Sequence, residues 1–193
     1  MSAYPSSTLR TAAFPRLNLL TDAALVTLGA GLIALCAQIT ISLPFTPVPL
    51  TGQTFAVLLV GSSLGALRGV ASCTLYLLLG IVGAPVYADR AHGWDVVAGT
   101  NGGYLVGFII AGALVGYLAE HGWDKRFSTA TSAMLAGNVV IYLCGTVWLS
   151  HVLHTGLAKT LEYGLYPFVP GDLFKLYLAA LVLPAAWKLV GRR

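Results

Sequence analysis

Long apolar runs almost free of charge recur along this chain, and they restrict its fold more tightly than any other feature. Five of them reach from Ala23 to Leu43, Gly69 to Ala88, Asn101 to Ala119, Ser128 to Ser150 and Asp172 to Val190. A shorter sixth, Gly52 to Leu67, holds no charge at all. About 20 mainly apolar residues suffice for a helix to cross the hydrocarbon core of a bilayer. The runs are continuous rather than alternating, which argues against a β-barrel. Charged residues make up only 9% of the chain, where a soluble domain carries about a quarter. The expected fold class is an all-α membrane protein, a six-transmembrane-helix bundle whose second helix is short or tilted.

The first twenty residues hold Ser, Thr, Pro and two Arg but no apolar core. They read as a loose N-terminal tail (residues 1–20) rather than a signal peptide, with a single bundle domain over 21–193. Lys and Arg in the connections set the orientation. One side collects Arg10, Arg16, Arg68, Lys125, Arg126, Lys188, Arg192 and Arg193; the other holds Arg90, Lys159 and Lys175. Eight against three puts both termini in the cytoplasm. The net charge of +4 therefore reflects topology, and no basic patch interleaved with aromatics points to nucleic acid. Cys36, Cys73 and Cys144 fall inside the spans as small buried side chains, without CxxC or zinc spacing.

This orientation sends three connections to the outer side: Pro44–Gln53, Asp89–Asn101 and Leu153–Asp172. The first carries Pro44, Pro47 and Pro49, which cannot continue a helix. It is either a rigid linker or a lid across an outer cavity, with Thr51 and Gln53 as polar contacts or helix caps. In Thr100-Asn101-Gly102-Gly103-Tyr104, Asn101 supplies a donor and an acceptor, or else caps the next helix. Asp172 and Lys175, three residues apart, share one helix face. At a membrane edge such charges are costly unless paired or turned to a cavity. The competing reading makes Asp172 an N-cap and lets Lys175 snorkel to headgroups. Small residues four apart (Ala30/Ala34, Gly61/Gly65, Gly65/Gly69, Gly103/Gly107, Gly112/Gly116) allow close helix approach within the chain. Ala30 and Ala34 are the best candidates for docking a partner subunit. His151, His154 and Ser150 lack the spacing for a metal site or a catalytic pair, and no P-loop or GxGxxG is present.

Four segments together carry a family resemblance. They are Ala37-Gln38-Ile39 with the following PVPLTGQT loop, Leu78-Leu79-Gly80-Ile81-Val82-Gly83-Ala84-Pro85-Val86, Thr100 to Phe108, and Pro167-Phe168-Val169-Pro170-Gly171-Asp172-Leu173-Phe174-Lys175. From about Asp22 to Leu189 the chain resembles the BioY family, the biotin-binding S components of energy-coupling factor (ECF) transporters. The resemblance implies six helices, an outward-facing ligand pocket beneath the first loop, and a multi-pass place in the bacterial inner membrane. It also implies a membrane coupling subunit and two ABC-type ATPase subunits as partners, biotin as cargo, no cofactor and no enzymatic step. Asn101, Asp172 and Lys175 would bind the ureido ring. Tyr87, Tyr104 and Phe168 would pack on the apolar part, and Gln53 would add a polar contact. Where the family often carries a glycine-rich loop, this chain reads Val86-Tyr87-Ala88-Asp89-Arg90-Ala91-His92-Gly93-Trp94-Asp95. Arg90 is there either to hold the biotin carboxylate or to pair with Asp89 or Asp95. The alternatives are an S component for another vitamin, a proton-coupled carrier using Asp172, and an intramembrane hydrolase.

Overall fold

The computed structural model describes residues 8–13 and 18–190. Six helices of twelve residues or more form the body: α2 (Leu19–Ala37), α3 (Gln53–Leu64), α4 (Ala66–Ile81), α6 (Gly102–Glu120), α7 (Phe127–Leu153) and α9 (Val169–Val190). Before and between them lie short elements: α1 (Leu9–Ala13) ahead of α2, then strands β1 (Thr40–Ile41) and β2 (Leu50–Thr51), α5 (Trp94–Ala98) and α8 (Leu157–Gly164). Of the six, α2, α6, α7 and α9 are long and apolar enough to cross a membrane, while α3 and α4 are shorter. The protein is mainly helical and built from several apolar helices.

The ends of these helices follow local chemistry. Asn18 caps α2, its side chain accepting the Leu20 N–H at 3.0 Å. Helices α3 and α4 are split at Gly65, whose φ of +87° suits glycine. The Glu120 carboxylate accepts the Ala66 N–H at 2.9 Å, satisfying one free donor at the start of α4. Two expected boundaries move. The run to Ala88 gives a helix only to Ile81, because Gly83 turns with φ +103° and Pro85 follows. The run to Leu43 gives a helix only to Ala37; the chain then enters an antiparallel hairpin pairing Thr40 with Thr51 and Ile41 with Leu50.

Helix α6 occupies the middle, packed on α3, α4 and α7. Its glycines make that possible. A Cβ on Gly103 would stand 2.4 Å from the Cys144 carbonyl of α7, and one on Gly61 of α3 would stand 2.8 Å from the Gly112 carbonyl. The small-residue spacing thus serves packing within the chain.

The tail departs from its expected looseness. Residues 9–13 form α1, with Leu9 and Arg10 buried. Arg10 and Arg68 each bond one oxygen of Asp22, Arg68 at 2.7 Å, so a shared carboxylate ties α1, α2 and α4 together. Arg16, Arg192 and Arg193, three of the cations behind the orientation, lie outside the described residues.

Candidate ligand-binding site

At the end of the bundle that carries the hairpin, a cavity open to solvent lies among α3, α6, α7 and α9. The hairpin contributes Val48, Pro49 and Thr51 to the wall. Three ties hold the hairpin in place: the Thr46 hydroxyl donates to the Tyr163 carbonyl at 2.6 Å, Lys175 Nζ donates to the Thr51 carbonyl at 2.6 Å, and the Thr40 hydroxyl donates to Asp89 at 3.3 Å.

Asp172 stands in the first turn of α9 and is only 3% exposed. Among the described residues no helix N–H bonds its carboxylate, so it is not acting as a cap. Oδ1 accepts from Lys175 Nζ at 2.7 Å and the Thr54 hydroxyl at 3.4 Å. Oδ2 accepts from Asn138 Nδ2 at 3.2 Å and from the Tyr142 hydroxyl. Lys175 likewise turns inward to Asp172 and Thr51 rather than out to headgroups. Such a pair is tolerated in a low-dielectric setting because each charge has a partner and further hydrogen bonds.

Seven of the eight expected ligand residues line this cavity: Gln53, Tyr87, Asn101, Tyr104, Phe168, Asp172 and Lys175. Their states differ. Asn101 precedes α6, yet its side chain caps none of the helix N–H groups. Gln53 is committed to structure, taking the Thr51 hydroxyl at 2.8 Å and donating to the Tyr76 hydroxyl at 2.5 Å. The Tyr104 and Tyr87 hydroxyls donate to the Gly164 and Leu77 carbonyls at 2.8 and 2.6 Å, leaving their rings as walls. Tyr142 joins Tyr104 and Phe168 in a row of rings spaced 6.4 and 6.3 Å between centroids. The cavity therefore has an aromatic side and one polar corner.

A model of the BioY family matches residues 7–192. The chain belongs to the BioY family. Among BioY proteins, it is 39% identical over 142 residues to the biotin transporter BioY of Thermotoga maritima, covering 74% of this chain and 82% of that one. It is 37% identical over 161 residues to the biotin transporter BioY of Rhizobium etli, covering 80% and 86%. A solved S-component for biotin from an ECF-type ABC transporter superposes with a TM-score of 0.80, covering 90% of this chain and 95% of that one. At 23% identity that last likeness speaks for the fold.

Two expectations for this BioY chain are corrected. Arg90 does not line the cavity; it is exposed in a short 3-10 turn, Ala88–Arg90, with φ +59°, and forms no ion pair with Asp89 or Asp95 among the described residues. Asp89 instead accepts from Thr40 and Ser42 of the hairpin, and only Ala88 of this turn reaches the cavity wall. Ala30 offers no docking surface. At 1% exposure it is covered by the chain itself, because α2 lays Gly29, Ala30, Ile33 and Ala37 against its neighbours, while Ala34 is partly buried on the core. Leu28, Gly31 and Leu35 form the open edge.

Asn138, Tyr142 and Thr54 were missed from sequence. Asn138 and Tyr142 stand four apart on α7, one above the other on the same face. Two polar side chains at that spacing inside an apolar run were the available signal.

Proposed function

We propose that this chain is the biotin-capture subunit of an ECF-type importer. It spans a bacterial inner membrane six times with both termini in the cytoplasm, and its cavity opens outward. It performs no covalent chemistry. Energy comes from two ATPase subunits acting through a membrane coupling subunit. The observation that carries the reading is the buried Asp172–Lys175 pair in the wall of the cavity of a BioY-family chain. Biotin's ureido ring has two N–H donors and one carbonyl acceptor. A carboxylate, an ammonium and a carboxamide match that set, with Asp172 accepting, Lys175 donating, and Asn101 able to do either. The aromatic side suits the thiophane ring and the methylene chain. Gln53 acts through the hairpin rather than through the ligand.

Equilibrium binding of a vitamin panel to the purified chain tests the reading. It calls for biotin to bind tightly, with thiamine and riboflavin at least a hundredfold weaker, about 2.7 kcal/mol. Preference for another vitamin overturns it. Uptake in cells that collapses with a protonophore yet persists without ATP supports the proton-coupled alternative instead.

A further inference from the structure

Among the described residues two charged side chains line the cavity, Asp172 and Lys175, and Lys175 is the one cation. Its ammonium has three hydrogens: two meet the Thr51 carbonyl at 2.6 Å and Asp172 Oδ1 at 2.7 Å, and the third, on the Thr54 hydroxyl at 3.5 Å, is the one that yields to the ureido carbonyl on the biotin reading, which leaves none for a carboxylate. Turning it to another anion would leave the Asp172 carboxylate, 3% exposed, without its counter-charge. Arg90 lies outside the wall. Away from the polar corner the lining is Val48, Pro49, Ala88, Val96, Leu105 and Phe108, whose side chains hold no hydrogen-bond donor. A carboxylate moved from water onto such a wall loses its hydration and gains no partner, a cost far above that of leaving it solvated.

We infer that the site, on the biotin reading proposed above, reads the bicyclic head and is blind to charge at the far end of the tail. Its ligand class is biotin together with neutral derivatives of its carboxyl group, amides and esters. The carboxylate of biotin itself stays in water while the head exchanges hydrogen bonds at Asp172, Lys175 and Asn101. The aliphatic chain between them meets the apolar wall, which asks only for methylene groups. Selectivity then resides in the ureido ring, and the tail is read for its oiliness alone.

Competition against radiolabelled biotin on the purified full-length chain tests this, with biotinamide and biotin methyl ester as probes. Both are expected to bind less than about 30-fold more weakly than biotin, the smallest loss that removing one partner of a buried charge pair brings. Arg90→Ala is expected to leave biotin and biotinamide unchanged alike. A larger loss for biotinamide overturns the inference, because some cation then reads the carboxylate. A loss for biotin alone in Arg90→Ala overturns it too and names that cation. Failure of biotin itself to bind a chain that still runs as a folded species overturns the vitamin assignment, and this inference with it.

Discussion

The Asp172 carboxylate accepts from four side chains before any ligand arrives, two on each oxygen. A carboxylate has about four lone-pair sites, so an incoming N–H must displace a donor. The longest bonds, from Thr54 at 3.4 Å and Asn138 at 3.2 Å, are the ones to yield. Tyr142 and Lys175 remain and hold the group in place. Tyr142→Phe keeps the aromatic row and removes one hydrogen bond to a charged group, a contribution of about 1.5–3 kcal/mol. Calorimetry should show biotin binding about tenfold weaker in this variant, and thermal melts should show a lower melting temperature, because the bond is made in the unliganded fold as well. Sequence made Asp172 and Lys175 visible because charge is so rare in an apolar run. Their partners were harder to see, because Asn138 and Tyr142, four apart in an apolar run, mark a polar face without showing which element it meets. A second carboxylate behaves differently. Asp124, in the turn between α6 and α7, is 2% exposed; it accepts from the Trp187 indole at 2.6 Å, and its Oδ1 has no partner among the described residues. Burial raises it from 3.8 to about 6, against the lowering effect of that indole bond. The folded chain thus holds the proton more tightly than the unfolded chain. The stabilisation from this group is full below 3.8 and is lost as pH rises through about 6. Thermal melts of Asp124→Asn between pH 4 and 7.5 should lack that decline, since the amide stays neutral and its oxygen can still accept from the Trp187 indole.

At the scale of elements, the hairpin and α6 position the site. The hairpin tip is fastened to the α8 region by one hydroxyl, Thr46 to Tyr163. Thr46→Val keeps the shape and cuts the tie, a change of about 0.5–1.5 kcal/mol. If the hairpin covers bound biotin, a chase experiment should find dissociation about 2- to 12-fold faster, with association nearly unchanged. Helix α6 sets the opposite wall. Gly103 leaves no room for a Cβ, whose nearest neighbours would be Trp148 Cβ at 2.3 Å and the Cys144 carbonyl at 2.4 Å. Gly103→Ala must therefore shift α7, at a cost of about 1–3 kcal/mol, and should lower both yield and melting temperature. The long helices could be read from their apolar runs, because lipid permits few other backbones. The hairpin could not: its strands are two residues each, too short for alternation to register, and its prolines announced only that a helix stops there.

Across the whole molecule, polar chemistry gathers at the two ends and divides the labour. One end holds the Arg10–Asp22–Arg68 cluster, the Glu120 cap on α4 and Asp124, all of which join elements of the chain to one another. The other end holds Asp172, Lys175 and Asn101 around open space. The count of cations in the connections drew on two of these residues, Arg10 and Arg68. It did not anticipate that Arg10 is buried in the fold, because a short amphipathic turn carries too little pattern to stand out from a tail. The central claim is that the Asp172–Lys175 pair exists for a guest and not for the fold. Asp172→Leu alone strands the Lys175 ammonium and should cost about 3 kcal/mol, the low end for such a break because Lys175 keeps 22% of its side chain exposed. The neutral double variant Asp172→Asn/Lys175→Met leaves no unpaired charge; it gives up the Lys175 tie to the Thr51 carbonyl, about 1.5–3 kcal/mol, and should still fold. Titration of biotin into that double variant is the most direct measurement. The expected result is a folded chain whose affinity is at least a hundredfold weaker than the parent's; a folded chain that keeps its affinity within about threefold would contradict the account.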